Sequence, residues 1–219
     1  MYFKSRTEAG QLLAKQIKQK YKGKDCAVVA MNDGGVMVGA QIALSLPCVL
    51  TLLLTETIIL PREDSAVAGI TQDGSFSYNK RYSQGELDEM TSEYYHYIEQ
   101  EKMSKMQEMH HQMGNSDLIK RELIQNKNVI LVSDGLMDGF ALDVALEFLK
   151  PIHTQKIIVA TPMASVPAVD RMHVLADEIF CINVLEDYIS TDHYYETQDI
   201  PTHDKVVKTV EQIVSHWKS

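Results

Sequence analysis

The chain has 219 residues, 45% of them hydrophobic and 23% charged, and its 30 acidic against 21 basic residues give a formal net charge of −9. This length and composition suit one globular domain, which we expect to span residues 1–219. No run rich in lysine or arginine offsets the acidic balance. Nucleic acid and anionic membranes are therefore not expected as partners, because both would repel the chain at long range.

The three cysteines, Cys26, Cys48 and Cys181, are odd in number and widely spaced, and two of them lie in apolar, strand-like runs. We expect buried, reduced side chains rather than a disulfide or a zinc site. The opening MYFKSRTEAG has no apolar signal-peptide segment, and the longest apolar run, 44–54, is too short to span a membrane. These features predict a cytoplasmic protein.

The first quarter of the chain alternates helical and strand-like patterns. Apolar residues with helical spacing over 5–21 are followed by a buried strand over 26–31. The glycines of 32–35 predict a turn, and a small apolar helix is expected over 36–46. A second strand is predicted over 48–54.

The next segment differs in composition and predicts an insertion over 57–115. Proline, glycine and short β-like pieces over 57–78 indicate a subsidiary hairpin. Residues 86–113 have the period of one long amphipathic helix with a methionine-bearing stripe. We expect this stripe to pack on the core; a dimer contact is the alternative, so a homo-oligomer remains open.

The C-terminal half returns to alternating strands and helices. Strands are predicted at 128–132, 156–161 and 178–184, and helices at 140–149, 167–174 and 204–217. This alternation predicts an α/β fold, in which a parallel sheet is covered by helices on both faces. Function in such sheets lies at the carboxyl ends of the strands. The glycine-bearing loops at 32–35 and 133–139 are both predicted to lie at that edge.

The order of these features resembles that of the type I phosphoribosyltransferases, especially a small bacterial branch of them. The resemblance covers nearly the whole chain and is carried by Phe3, Arg6, Glu8, Ala9 and Gly10, by AMNDGGV, by AVAGITQDG, by the strand beginning VATP and by ADEI. It implies a Rossmann-like parallel-sheet core with a hairpin and a long helix added. It also implies transfer of phosphoribose from phosphoribosyl pyrophosphate (PRPP) to a nitrogenous base, usually with Mg²⁺.

The resemblance also assigns the functional loops. In the family, backbone N–H groups at a helix N-terminus hold the 5′-phosphate, and a glycine loop with a cation holds the pyrophosphate. The phosphate loop corresponds to Ser133, Asp134, Gly135, Leu136, Met137, Asp138, Gly139, Phe140 and Ala141. The pyrophosphate loop corresponds to Asn32, Asp33, Gly34 and Gly35, and further pocket candidates are Glu56, Arg62 and Tyr195.

The phosphate loop departs from the family pattern. Ser133 stands where the first of two acidic residues is expected, so Asp134 is the one carboxylate left for the ribose hydroxyls. Asp138 replaces a threonine and Ala141 replaces the final hydroxyl residue, although Gly139 is kept. A carboxylate about 4 Å from a phosphate, at an effective dielectric of about 20, costs roughly 4 kcal/mol, nearly a thousandfold in affinity.

The pyrophosphate side departs as well. Asp33 stands where an arginine is usual, and Thr55 and Glu56 stand where this branch has a basic pair. Arg62 is the nearest candidate to substitute for the lost cations. Losing a charge-assisted contact removes roughly another 1.5–3 kcal/mol. Weak or absent binding of PRPP is therefore expected.

Two classes of function follow. The favoured one is a non-catalytic relative that binds a small ligand, resembling a sugar phosphate or a base, or has a regulatory role. The alternative is an active, divergent phosphoribosyltransferase acting on an unknown base.

Asp134 and Asp138, four residues apart, are a candidate pair for Mg²⁺. His193 and His203 flank an acidic segment and are expected on the surface, with metal binding as the alternative. A serine hydrolase is disfavoured, because no G-x-S-x-G sequence surrounds Ser133.

Overall fold

A computed structural model of the protein describes residues 2–63, 65–113 and 120–216. The helices are α1 (Arg6–Tyr21), α2 (Asp33–Ser45), α3 (Gln84–Glu93), α4 (Tyr95–Met113), α5 (Arg121–Ile124), α6 (Phe140–Leu149), α7 (Val166–Leu175) and α8 (His203–His216). The strands are β1 (Cys26–Ala30), β2 (Val49–Leu52), β3 (Thr55–Ile59), β4 (Ala66–Thr71), β5 (Phe76–Tyr78), β6 (Asn128–Val132), β7 (Lys156–Ser165) and β8 (Glu178–Leu185).

The core is a five-stranded parallel sheet with the strand order β2-β1-β6-β7-β8. Its central strands, β1 and β6, are apolar runs in which every residue is buried. One apolar layer lies between the sheet and α1, α2 and α8, and a second lies between the sheet and α5, α6 and α7. The α/β fold predicted from the alternating pattern is confirmed.

Strand β7 is longer than the predicted 156–161, because it continues past Pro162 to Ser165. Proline lacks the N–H of a strand residue, but pairing with β8 resumes beyond it at Met163. The extension also pairs with the candidate phosphate loop: Leu136 donates its N–H to the Met163 carbonyl and accepts from the N–H of Ser165. The phosphate loop is thereby attached to the sheet.

The predicted turn at 32–35 is wrong. Helix α2 already begins at Asp33, and the Asn32 side chain caps it by accepting a hydrogen bond from the Gly35 N–H at 2.6 Å. Gly34 lies within this helix, and the Asp134 carboxylate packs against it, which leaves no room for a side chain. A Cβ added at Gly34 would lie 2.0 Å from an Asp134 carboxylate oxygen.

The insertion contains more strand and less continuous helix than predicted. The segment expected to form a hairpin is part of a three-stranded antiparallel sheet, in which β4 is the middle strand and pairs with both β3 and β5. The expected single long helix is two helices, α3 and α4, separated at Tyr94. In α4, Ile98 packs beneath the small sheet and Met109 is buried in the main core. The packing role of the methionine stripe is confirmed at Met109, and Met106 and Met113 are partly buried against the same core cluster.

The C-terminal helix α8 packs on α2 and on the edge strand β2. Position 115, the predicted end of the insertion, and Trp217, the predicted end of the last helix, lie outside the described residues. Within the ranges that the structure describes, no helix combines the length and the apolarity that crossing a bilayer requires.

Candidate functional site

The two glycine-bearing segments meet at the carboxyl edge of the sheet, as expected for loops that follow the paired strands β1 and β6. The Asn32 side-chain amide donates a hydrogen bond to Asp134 Oδ1 at 2.9 Å, while Asp134 Oδ2 faces Gly34. Asp134 is 3% exposed. The carboxylate assigned to ribose hydroxyls is thus enclosed by the chain itself.

Arg6 is the main partner of Asp134, and it is only 1% exposed. Its Nε donates to Asp134 Oδ2 at 2.7 Å and its Nη2 donates to Asp192 Oδ1 at 2.5 Å. Its Nη1 donates to Gln198 Oε1 at 3.2 Å and lies 3.8 Å from Asp199 Oδ1. Burial alone would lower the pKa of Arg6, but hydrogen bonds from the guanidinium to Asp134 and Asp192 outweigh burial and raise it.

Arg6 belongs to the leading segment that resembles the family, but the sequence does not predict a role for it in the site. Its contacts lie 128 and 186 positions away in the sequence, so no local pattern reveals them. An arginine on the first turn of an amphipathic helix is ordinarily a surface residue.

Tyr195 is buried and covers this cluster. Its hydroxyl donates to the Asp134 backbone oxygen at 2.7 Å, and the Arg6 guanidinium lies 4.3 Å from the centre of its ring. Burial, followed by the charge of Asp134, raises the pKa of Tyr195. With Phe3 and Tyr194 it forms a separate apolar cluster. Tyr195, a pocket candidate from the sequence, is therefore part of the buried core beside Asp134.

Asp138 lies at the N-terminus of α6, where the family's loop would hold a phosphate. Its carboxylate accepts a hydrogen bond from the Phe140 N–H at 3.0 Å. Gly139 provides the left-handed backbone conformation before the helix, with φ of 76°. The Asp138 side chain is exposed, but it supplies the negative charge that the helix N-terminus favours.

Replacing Asp138 with alanine is expected to lower the free energy of unfolding by about 1 kcal/mol, because the hydrogen bond from the Phe140 N–H and a favourable helix-dipole interaction are lost. Asp138→Asn should retain part of the effect, since its amide oxygen can still accept the hydrogen bond. Urea denaturation at neutral pH measures both variants. Asp170→Ala, an exposed acidic residue within α7, is the control, and equal stability of all three proteins would contradict this role of Asp138 at the start of α6.

Asp33 is directed to the start of α8. The His203 Nδ1 lies 2.9 and 3.0 Å from the two carboxylate oxygens of Asp33. The other ring nitrogen of His203 is buried and has no hydrogen-bond partner among the described residues. His203 was expected on the surface; its side chain is instead about one quarter exposed, at 23%. The position assigned to a pyrophosphate-binding cation is therefore acidic and paired within the chain.

Glu56 and Arg62 lie with the insertion. Glu56, on β3, is 3.5 Å from the Lys105 ammonium of α4. Arg62 is exposed in the turn after β3, with φ of 74°. The structure thus brings Asn32, Gly34 and Asp134 together and gives Glu56 a partner on helix α4.

A cavity of about 850 Å³ lies between the small sheet and the first turns of α6 and α7. The candidate phosphate loop contributes Met137, Asp138, Phe140 and Ala141 to its wall. Three basic side chains also line it: Lys80, Arg81 and Arg171. The sequence showed no basic run because these three side chains come from two distant segments.

Asp143 is a buried acid in the cavity wall, and it is neutralised by Arg171. The Arg171 Nε donates to Asp143 Oδ2 at 2.8 Å, and Nη2 donates to the other oxygen. The hydrogen bonds to Asp143 raise the pKa of Arg171 above its ordinary value. The Lys80 ammonium lies farther off, 3.6 Å from Asp143 Oδ1.

The Asp134–Asp138 pair does not fit a magnesium ion. Both oxygens of Asp134 already accept hydrogen bonds, from Arg6 and Asn32, and the Arg6 guanidinium would repel a divalent cation. The Asp138 carboxylate is bound to the Phe140 N–H. In the described part of the chain, no three or more His, Cys, Asp or Glu side chains are grouped to hold a metal ion.

Tyr188 covers Gly135 of the loop, and its hydroxyl pairs with Thr191 Oγ1 at 2.8 Å. Burial raises the pKa of Tyr188 to about 12, whereas an unfolded tyrosine titrates at about 10. Its contribution to stability is therefore complete below pH 10 and is lost as the pH rises towards 12.

We expect alkaline unfolding in this interval to be less steep for Tyr188→Phe than for the unsubstituted protein, because one phenol no longer ionises. Phenolate absorbance and circular dichroism, recorded together against pH, measure the effect. Tyr95→Phe, at an exposed tyrosine, is the control. Identical alkaline profiles for all three proteins would contradict the account.

Comparison with known proteins places this architecture in a family. Residues 6–200 match the profile of the phosphoribosyl transferase domain. The chain is 24% identical over 207 residues to a Mycobacterium tuberculosis protein that is named as a phosphoribosyl transferase in two strains. The aligned region covers 94% of this chain and 45% of that protein. The chain thus spans about half the length of these relatives. A crystal structure of a Thermus thermophilus protein shares the fold, with a TM-score of 0.71 and 22% identity over 97% of this chain and 99% of that one. The chain belongs to the phosphoribosyl transferase domain family.

Proposed function

We propose that this protein binds a small ligand without transferring phosphoribose from PRPP. The observation that carries the proposal is the enclosure of Asp134 by Arg6, Asn32 and Gly34. In the resembled enzymes the corresponding carboxylate must be accessible to the ribose hydroxyls. Here both of its oxygens are hydrogen-bonded within the chain, so a sugar would have to displace a buried ion pair.

The α6 N-terminus supports the same proposal. A phosphate placed there would compete with the Asp138 carboxylate for the Phe140 N–H. If Asp138 stayed in place, the repulsion would cost roughly 4 kcal/mol at about 4 Å and an effective dielectric of about 20. If it moved away, the Phe140 N–H would lose this hydrogen bond.

The pyrophosphate side is also unfavourable to an anion. Asp33 and Asp134 lie at or against the first turn of α2, and the nearby Arg6 is shared among Asp134, Asp192 and Asp199. One guanidinium facing three carboxylates is not available to a pyrophosphate. Electrostatic stabilisation of the leaving group, usually the largest catalytic contribution, would therefore be weak.

Calorimetric titration with PRPP and Mg²⁺, compared with ribose 5-phosphate, tests the proposal. We expect no saturable heat at millimolar concentration with either ligand. Circular dichroism of the same sample confirms that the protein is folded. Micromolar binding of PRPP would contradict the proposal.

The second candidate is a divergent phosphoribosyltransferase acting on an unknown nitrogenous base. The retained Gly139 and the basic side chains beside the loop favour it: Lys80, Arg81 and Arg171. Its test is the release of pyrophosphate from PRPP in the presence of purine and pyrimidine bases. Base-dependent release would establish this candidate in place of the first.

A further inference from the structure

We infer that the cavity beside α6 binds an organic anion with an apolar body, held by Lys80 and Arg81 rather than by the amide groups of the phosphate loop. This inference rests on the proposed ligand-binding function and names the ligand class. It follows from the size of the cavity, the distribution of charge in its wall and the way in which the two cations are positioned.

The cavity has the size and surface of a small-molecule site. Its volume of about 850 Å³ lies within the range of roughly 300–1,000 Å³ that is typical of ligand pockets. Ile59 and Ala66 of the small sheet, Phe140 and Ala141 of α6 and Pro167 of α7 provide apolar wall. An apolar body such as an aromatic ring would bury its surface against these side chains.

The charges in the wall favour one anionic group. Three basic and two acidic side chains line the cavity, which leaves a net charge of +1. Arg171 is committed to Asp143 through two hydrogen bonds. Among the hydrogen bonds and ion pairs of the described residues, the Lys80 side chain has one contact, at 3.6 Å from Asp143, and the Arg81 side chain has one, at 3.4 Å from Ser65 Oγ. Lys80 and Arg81 are therefore available to a ligand.

The two cations stand on a segment whose backbone is fixed by a buried side chain. Asn79, 7% exposed, donates from Nδ2 to the Ala66 oxygen at 2.8 Å and accepts at Oδ1 from the Arg81 N–H at 3.0 Å. This pair of bonds ties the start of the Lys80–Arg81 segment to β4. The cations come from the insertion, so the predicted anion contact is separate from the α6 amide that Asp138 occupies.

Titration with three simple probes tests the inference: benzoate, phenyl phosphate and benzylamine share an aromatic ring and differ in the charged group. Chemical-shift perturbation by NMR measures the affinity of each. We expect benzoate, phenyl phosphate or both to bind, and benzylamine to bind at least about tenfold more weakly, because its charge is repelled by the cavity. The stronger of the two anions identifies the head group as a carboxylate or a phosphate.

Variants locate the site. Lys80→Gln/Arg81→Gln should weaken anion binding roughly tenfold or more, since two charge-assisted contacts are lost. Lys15→Gln/Lys18→Gln removes two charges from an exposed face of α1 and should leave binding unchanged. Ala141→Phe, which fills part of the cavity, should weaken the binding of every probe.

These experiments test the inference independently of the proposed function. No binding of either anion at millimolar concentration, equal binding of benzylamine, or equal affinity of the Lys80→Gln/Arg81→Gln variant would overturn the inference and leave the absence of PRPP transfer untouched. PRPP turnover, in contrast, would overturn the proposed function even if these probes bind.

Discussion

Replacing Arg6 with methionine is expected to lower the free energy of unfolding by about 3–5 kcal/mol, the cost of removing one partner from a buried ion pair. The side chain of Arg6 is almost fully buried, and its loss leaves Asp134 in the core with a hydrogen bond from Asn32 and no cation. It also removes the charge that Asp192 and Asp199 face. Urea denaturation monitored by circular dichroism measures the change.

Two further variants separate the ion pair from simple loss of volume. Arg6→Met combined with Asp134→Asn should be less destabilised than Arg6→Met alone, because no buried charge is then left without a counterion. Arg81→Met, at an exposed arginine, should change the free energy of unfolding by no more than about 0.5 kcal/mol. A loss of less than about 1 kcal/mol for Arg6→Met would show that Arg6 does not hold Asp134 in a buried pair.

Replacing Gly34 with alanine is expected to lower the free energy of unfolding by up to about 3 kcal/mol, the upper part of the range for overpacking a filled core. The added Cβ would lie 2.0 Å from Asp134 Oδ2 and 2.4 Å from Asp134 Cγ. The carboxylate cannot move aside freely, because Arg6 and Asn32 hold it in place. Either this network or the start of α2 must shift.

Gly85→Ala is the matched control for this substitution. Gly85 lies in the first turn of α3, and a Cβ added there meets no atom of the described residues within 4 Å. Alanine is favoured over glycine in helices by up to about 1 kcal/mol, so this variant should be neutral or slightly stabilised. If Gly34→Ala behaved like Gly85→Ala, the close contact between α2 and Asp134 would be wrong.

The parallel sheet could be predicted from sequence because its signal is local. Each central strand is a short run of β-branched and apolar residues, and the helices between them show regular apolar spacing. Strand β3 was not predicted as a separate strand because only Ile58 of its five residues is buried. Its identity depends on pairing with β4, which a local pattern does not reveal.

The candidate site was predictable in location but not in its contacts. The glycines at 34 and 35 were interpreted as a turn. A glycine is required at position 34 for another reason: the side chain of Asp134, one hundred positions later, packs against it. The role of Arg6 depends on partners at the other end of the chain. By contrast, the hydrogen bond that Asp138 accepts from the N–H two residues ahead is a local turn interaction that aspartate commonly makes. It could therefore have been predicted from the sequence.

A crystal structure from crystals grown in concentrated ammonium sulfate would test most directly whether the side chains of the protein itself occupy the phosphate-binding loop. We predict the Asp138 carboxylate on the Phe140 N–H, Asp134 between Arg6 and Asn32, and no sulfate on the amides of residues 135–141. A sulfate seated on those amides, with the Asp138 side chain turned away, would contradict the account.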